Sequence, residues 1–249
     1  RGCALLAAGE DQRDRGGYQR DQPPVRAVPL RIRMANGRRV QETGEQTLHD
    51  PTGLDLGAYH IATTTNEVAA FFRAHPLSER SDGLGIAASL RVAPGRLHMP
   101  DAAINGYTAS VLSDFLRHSL LSAGETFTFE TVMSHESKVA FLRQARAAGY
   151  RTYLYYVATE DPEINVSRVR NRVAEGGHNV PVNKIISRYA DSLKLLLAAI
   201  GETDRAYLFD NSGEESFLIA EITDGQDMEI MVEEVPAWFK TYVLDKSNA

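Results

Sequence analysis

The strongest constraint on the fold is the alternation of strand-like and helix-like segments between residues 126 and 209. In order, the hydrophobic pattern predicts strand 126–130, helix 137–148, strand 153–158, a helix beginning at Pro162, helix 182–200 and strand 206–209. Elements of these lengths are typical of crossover units on a mainly parallel sheet that helices cover on both sides. The sequence therefore predicts a three-layer α/β protein.

Further elements are predicted on either side of this alternation. Before it, the pattern indicates helix 64–74, a hairpin over 89–99 that turns at Ala93-Pro94-Gly95, and a long amphipathic helix over 103–122. After it, residues 217–222 and 228–232 form a predicted antiparallel hairpin, and residues 235–244 a closing helix. The predicted fold thus ends in a β-hairpin and a helix.

The first fifth of the chain differs in composition from the rest. Positions 1–50 contain nine arginines against seven acidic residues and few large apolar side chains. Such composition does not support a packed core, and we expect residues 1–49 to be irregular and poorly ordered. We expect one folded domain over residues 50–249.

Charge and cysteine content exclude several classes of protein. The net charge of −6 and the pI near 5.7 argue against broad nucleic-acid binding, which requires a basic face. The single cysteine, Cys3, cannot form an intramolecular disulfide, which fits a reducing compartment such as the cytoplasm. Apolar runs are too short to span a membrane, and the histidines lack metal-ligand spacing. We expect a soluble protein with no metal cluster and no membrane partner.

Two arginines on one helix are candidates for phosphate binding. Arg168 and Arg172 are four residues apart and share a helix face, whereas Arg170 points elsewhere. Paired guanidinium groups suit phosphate oxygens, and the following loop, residues 175–178, contains two glycines and His178, which can bind phosphate when protonated. The alternatives are a solvated helix face and an exposed or capping histidine.

Polar residues follow three predicted strands at their carboxyl ends. They are Glu130 and Thr131, then Thr159, and finally Asn211 with its neighbours Asp210 and Ser212. Because ligands of open α/β sheets bind at this edge, these side chains are candidate ligands for a hydroxyl-rich substrate. Turn formation, helix capping and surface ion pairs are the structural alternatives.

Several motifs in order resemble the zeta toxin family, most closely its chromosomal zeta-like branch. They are Phe129-Glu130-Thr131-Val132-Met133-Ser134, Ala148-Gly149-Tyr150, residues 168–173, Gly176-Gly177-His178-Asn179-Val180-Pro181, Ile185, Arg188-Tyr189 and Phe209-Asp210-Asn211-Ser212. The resemblance implies a P-loop kinase fold and ATP-dependent phosphorylation of a nucleotide sugar, UDP-N-acetylglucosamine in the best-known members. It also implies ATP and Mg²⁺ as cofactors and a possible antitoxin protein as partner.

The resemblance assigns roles to individual residues. Glu130 matches the family's substrate-binding glutamate, with Thr131 and Thr159 on the substrate side. Arg168 and Arg172 match the lid arginines that contact the transferring phosphates. His178 lies where some members place a second lid arginine, and Asn211 belongs to the nucleotide side.

One element of the family is missing from the sequence. A P-loop has the form Gly-x-x-x-x-Gly-Lys-Ser/Thr, and the first lysine of this chain is Lys138. We therefore expect a kinase domain without its Walker A motif, and a frame change or truncation upstream of about Asp50. The alternatives are a non-catalytic protein that binds a nucleotide sugar or a protein partner, and a non-functional fragment.

Overall fold

A computed structural model describes residues 3–10, 28–29, 53–80, 82–177 and 179–247, with side chains from residue 53 onward. The chain divides into two compact units. The first contains the described residues up to 29 and residues 126–247, and the second contains residues 53–125. We call them the sheet unit and the helical unit.

Ten strands and eight helices are described in these ranges. The strands are β1 Cys3–Glu10, β2 Val28–Pro29, β3 Leu54–Asp55, β4 Arg91–Ala93, β5 Arg96–His98, β6 Phe127–Thr131, β7 Tyr150–Ala158, β8 Arg205–Asp210, β9 Phe217–Thr223 and β10 Asp227–Ile230. The helices are α1 Thr65–Ala74, α2 Gly83–Ser89, α3 Gly106–Ser122, α4 Ser137–Ala147, α5 Pro162–Ala174, α6 Val182–Gly201, α7 Ala237–Phe239 and α8 Asp245–Ser247. Short 3₁₀ turns lie at Gly57–Tyr59, Ser78–Arg80 and Asp101–Ala103, and a π-helical turn at Lys240–Leu244 joins α7 to α8.

The sheet unit is built on a seven-stranded sheet with the order β10-β9-β8-β7-β1-β6-β2. β7 pairs with β8 in parallel, as β2 does with β6. β1 lies between β6 and β7 and is antiparallel to both, while β9 is antiparallel to β8 and β10. Five strands therefore run in one direction, and β1 and β9 run in the other. The predicted α/β class is confirmed, but the sheet is mixed and not mainly parallel as predicted, because these two strands are reversed.

One face of this sheet is covered by helices, and we call it the helix face. Phe141 of α4 packs edge-on against Phe127 and Phe129 of β6, with ring centroids 6.2 and 5.6 Å apart. On β7, the hydroxyl of the fully buried Tyr156 lies 3.0 Å from Ser192 of α6. Both crossover helices thus lie on the same side, as expected when successive parallel strands are added in one direction.

The helical unit contains α1, α2, α3 and a small antiparallel sheet with the order β3-β5-β4. The turn between β4 and β5 is formed by Pro94 and Gly95, where Gly95 has a φ of +70°. Apolar residues of the three helices, including Val68, Phe72, Ile86, Val111 and Leu116, form its buried core.

Helix α1 begins with a complete capping box. Thr64 Oγ1 accepts the backbone N–H of Glu67 at 3.3 Å, and Glu67 Oε2 accepts that of Thr64 at 2.8 Å. The bond from the Thr64 backbone, and after it those from the hydroxyls of Thr63 and Thr64, lower the pKa of the Glu67 carboxyl group. We expect Thr64→Ala to reduce the free energy of unfolding by about 1 kcal/mol, because it removes an N-cap acceptor. Urea denaturation would check this value, with Thr64→Ser, which keeps the acceptor, expected to retain most of the stability.

The predicted helices and strands from residue 64 onward are confirmed, with boundaries within a few residues of those expected. Within residues 1–49, Cys3–Glu10 and Val28–Pro29 form β1 and β2, and the remaining residues lie outside those described. Among the helices that the structure describes, none combines the length and the apolar character needed to cross a membrane.

Candidate functional site

The carboxyl ends of β7 and β8 are joined by hydrogen bonds between their turns. Asn211 N donates to Ala158 O at 2.8 Å, and Glu160 N donates to Ser212 Oγ at 2.7 Å. Asp210 Oδ1 in turn accepts the backbone N–H of Ser212 at 2.8 Å. The two turns, residues 159–161 and 211–213, therefore form one connected edge, as the sequence predicts for neighbouring parallel strands.

Helix α5 begins directly at this edge. Asp161 accepts the N–H of Glu163 at 2.8 Å, and Pro162 occupies the first helical turn, which confirms the predicted start of the helix. Thr159 is fully buried, and its hydroxyl donates to Asp161 O at 3.1 Å and accepts from Asn165 Nδ2 at 2.8 Å. In this structure Thr159 holds the turn in place rather than presenting its hydroxyl to solvent.

Tyr189 of α6 supports the same turn. Its hydroxyl donates to Thr159 O at 2.8 Å and lies 3.3 Å from Glu160 O. Burial, followed by the charge of Glu160, raises the pKa of Tyr189 to about 12. The hydroxyl therefore keeps its proton at neutral pH and remains a donor.

Arg168 extends from α5 to the turn that follows β8. Its Nη2 donates to Gly213 O at 3.2 Å, which places the guanidinium group beside the turn that contains Asn211. Because a guanidinium group has five N–H donors, the bond to Gly213 leaves donors for a ligand. The structure thus places this guanidinium group at the carboxyl end of β8.

Arg172 lies one turn further along α5 and is half-buried, whereas Arg170 is exposed. Burial lowers the pKa of Arg172. Its side chain packs against Gly177, where an added Cβ would lie 2.6 Å from Arg172 Cγ. Gly177 N also donates to Arg172 O at 2.9 Å, and Gly176 N donates to Val173 O at 3.0 Å, which is a Schellman ending. The loop thus starts in contact with Arg172, and His178 lies outside the described residues.

Glu130 and Thr131 lie on the other side of β1 from these turns. Glu130 of β6 and Tyr155 of β7 both pair with Leu5 of the intervening strand β1. Tyr155 in turn pairs with Tyr207 of β8. By this register Glu130 is on the face opposite the helix face, and it is exposed. Thr131 ends β6, and its Oγ1 accepts the N–H of Met133 at 3.2 Å.

The structure therefore groups the predicted site residues into two sets. In the first set, Arg168 contacts the turn that contains Asn211. Arg172 lies on the same helix as Arg168, and Thr159 lies just before the start of that helix. Glu130 and Thr131 are on β6, three strand spacings from β8, or about 14 Å across the sheet. The two sets therefore lie on different strands of the same sheet.

Three residues of this edge were not found from the sequence. Gly213 provides the carbonyl for Arg168, Tyr189 fixes the turn after β7, and Trp238 Nε1 donates to Asp210 Oδ2 at 2.8 Å. Tyr189 and Asp210 belong to motifs that carry the family resemblance, but the sequence did not indicate that they form hydrogen bonds with Thr159 and Trp238. In the ranges described, no group of three or more His, Cys, Asp and Glu side chains is arranged to hold a metal ion.

The sheet unit is an α/β domain with an arginine at the carboxyl edge of its sheet. Residues 103–218, just under half of the chain, match the model of the zeta toxin family. This match confirms the family resemblance over that segment, which contains the whole edge from Glu130 to Gly213. At family level the match implies a kinase-like, nucleotide-binding phosphotransferase domain. Kinases of this family generally use ATP and Mg²⁺. No curated protein and no solved structure matches the chain significantly.

Proposed function

We propose that this chain is a zeta-toxin-like kinase domain whose substrate is a nucleotide sugar of the UDP-N-acetylglucosamine type. The contact of Arg168 with Gly213 carries the proposal, because it directs a cation to the carboxyl edge of the sheet within the family match. Arg168 and Arg172 would bind phosphate oxygens, and Glu130 and Thr131 would accept and donate hydrogen bonds to sugar hydroxyls.

ATP and Mg²⁺ do not fit this chain in the way that a P-loop holds them. In a P-loop fold the phosphate-binding loop follows a strand whose carboxyl end lies at the same edge as the substrate site. Here β1, the strand beside β7, is reversed, and its last residue, Glu10, is paired with Tyr150 at the start of β7. The sequence also has no lysine before Lys138. Within residues 1–249, no Gly-x-x-x-x-Gly-Lys-Ser/Thr motif follows a described strand that ends at the arginine edge.

These two observations favour a second candidate function over phosphate transfer by this chain. We infer that the site keeps the part that binds the nucleotide sugar and not the part that binds ATP. We also propose that the chain has a surface that binds an antitoxin-like protein, since family members of the toxin-antitoxin type have such partners. The proposed location of these events is the cytoplasm.

A transfer assay separates the two functions. We expect incubation with labelled ATP, Mg²⁺ and UDP-N-acetylglucosamine to give transfer slower by orders of magnitude than for a kinase with typical turnover of about 1–100 s⁻¹. The reason is that positioning and charge neutralisation by the P-loop provide most of the catalysis of phosphoryl transfer. Rapid transfer that is lost in Arg168→Ala would show that the chain is a competent kinase and would overturn the second candidate.

A further inference from the structure

The C-terminal segment Pro236–Phe239 contacts both turns at the arginine edge. Ala237 N donates to Glu160 Oε1 at 2.9 Å, in the turn after β7. Trp238 Nε1 donates to Asp210 Oδ2 at 2.8 Å, at the end of β8. The two adjacent residues thus contact both turns, and Arg168 contacts the one after β8.

Asp210 connects this segment to the turn after β8. Asp210 is 2% exposed, and its second carboxylate oxygen, Oδ1, accepts the backbone N–H of Ser212. Each carboxylate oxygen therefore has its own donor, one from the C-terminal segment and one from the turn. A charged acceptor makes these hydrogen bonds stronger than neutral ones. The position of Ser212 is consequently tied to that of Trp238.

The same turn holds Arg168. Gly213, the residue after Ser212, accepts from Arg168 Nη2, and Ser212 Oγ accepts from Glu160 N. Described contacts therefore run from the indole of Trp238 through Asp210 and the turn to the guanidinium group. Trp238 itself is 3% exposed and is fixed by an edge-to-face contact with Phe239 at 5.9 Å.

We propose that Trp238 is a positioning residue for phosphate binding, acting on Arg168 through Asp210 and the turn 211–213. The inference rests on the proposed function in taking Arg168 as a phosphate ligand. It adds that the C-terminal segment must be docked on the sheet edge for the arginine to be held in place. A flexible arginine loses more side-chain entropy on binding than one already held in position.

Binding measurements in a double-mutant cycle test this coupling. We expect Trp238→Phe, which removes the indole N–H and keeps an aromatic ring, to weaken UDP-N-acetylglucosamine binding about tenfold in the native background. In an Arg168→Ala background the same change should have less than about a twofold effect. Val243→Ala is the matched control, because it removes buried packing from the C-terminal region without removing a hydrogen bond of the Trp238–Asp210 chain, and should lower Tm without changing Kd. Additive effects of Trp238→Phe and Arg168→Ala would overturn the proposal.

A second measurement requires no ligand. Heteronuclear ¹⁵N relaxation of the arginine Nε–H groups reports the mobility of Arg168, with the exposed Arg170 as internal reference. We expect Arg168 to be more rigid than Arg170 in the native chain and as mobile as Arg170 in both Trp238→Phe and Ser212→Ala. Unchanged rigidity of Arg168 in these variants would contradict the positioning role, whether or not the nucleotide sugar binds. Absence of binding by the native chain would instead contradict the proposed function.

Discussion

Replacing Asp114 by alanine is expected to destabilise the protein by about 3 kcal/mol, the largest single-residue effect on stability that we predict. Asp114 of α3 forms an ion pair with Arg117 one turn away, and its Oδ2 lies 3.1 Å from His75 Nε2. The Arg117 side chain is 7% exposed, and burial lowers its pKa to about 10. Arg117 therefore stays charged at neutral pH, and removal of the carboxylate leaves a buried cation with less compensation.

The chain offers a matched control for this experiment. Asp191 and Lys194 on α6 form an ion pair with the same i, i+3 spacing. This pair is more exposed, since the Asp191 side chain is 48% exposed and the Lys194 side chain 62%. Solvent screening reduces such a pair to less than about 1 kcal/mol, so Asp191→Ala should change stability little. Hydrogen exchange of the backbone amides of α3 and α6, measured at increasing urea concentration, would give the loss of stability of each variant in the unit that carries the substitution. Equal losses would show that burial does not determine the contribution of Asp114.

The second large effect is expected on ligand binding. Arg168→Ala should weaken binding of UDP-N-acetylglucosamine by about 10- to 100-fold, the range for loss of a hydrogen bond to a charged group. Arg170→Ala is the control, because it removes the same charge from the same helix. Arg170 is exposed, and no described hydrogen bond joins it to the turn after β8. Isothermal titration of both variants would check the difference. Similar weakening by both would indicate general electrostatic attraction and not a bound phosphate.

Local signals predicted most of the helices and strands from residue 64 onward. Asp161 and Pro162 marked the start of α5, and Pro94-Gly95 marked the turn between β4 and β5, because each conformation depends on neighbouring residues. β1 was missed because four of the eight residues in Cys3–Glu10 are alanine or glycine, three alanines and one glycine, which have low strand propensity. Its place between β6 and β7 depends on pairing across more than a hundred residues, and no local pattern encodes that.

The site was predictable only in part for the same reason. The helical spacing of Arg168 and Arg172 and the strand-end position of Asn211 could be derived from local periodicity. The bond from Trp238 to Asp210 joins residues 28 positions apart, and that from Tyr189 to Thr159 spans 30. These partners become evident only when strand order and the docking of the C-terminal segment are known. The buried hydroxyl of Thr159 could likewise not be distinguished from an exposed one.

Titration of the native chain with UDP-N-acetylglucosamine tests the central claim most directly. The account predicts saturable binding at one site per chain without added ATP or Mg²⁺, and weaker binding when either Glu130 or Arg168 is replaced by alanine. The exposed Glu229 on β10 provides the control substitution for Glu130. No saturable binding, or binding that is indifferent to both Glu130 and Arg168, would contradict the account.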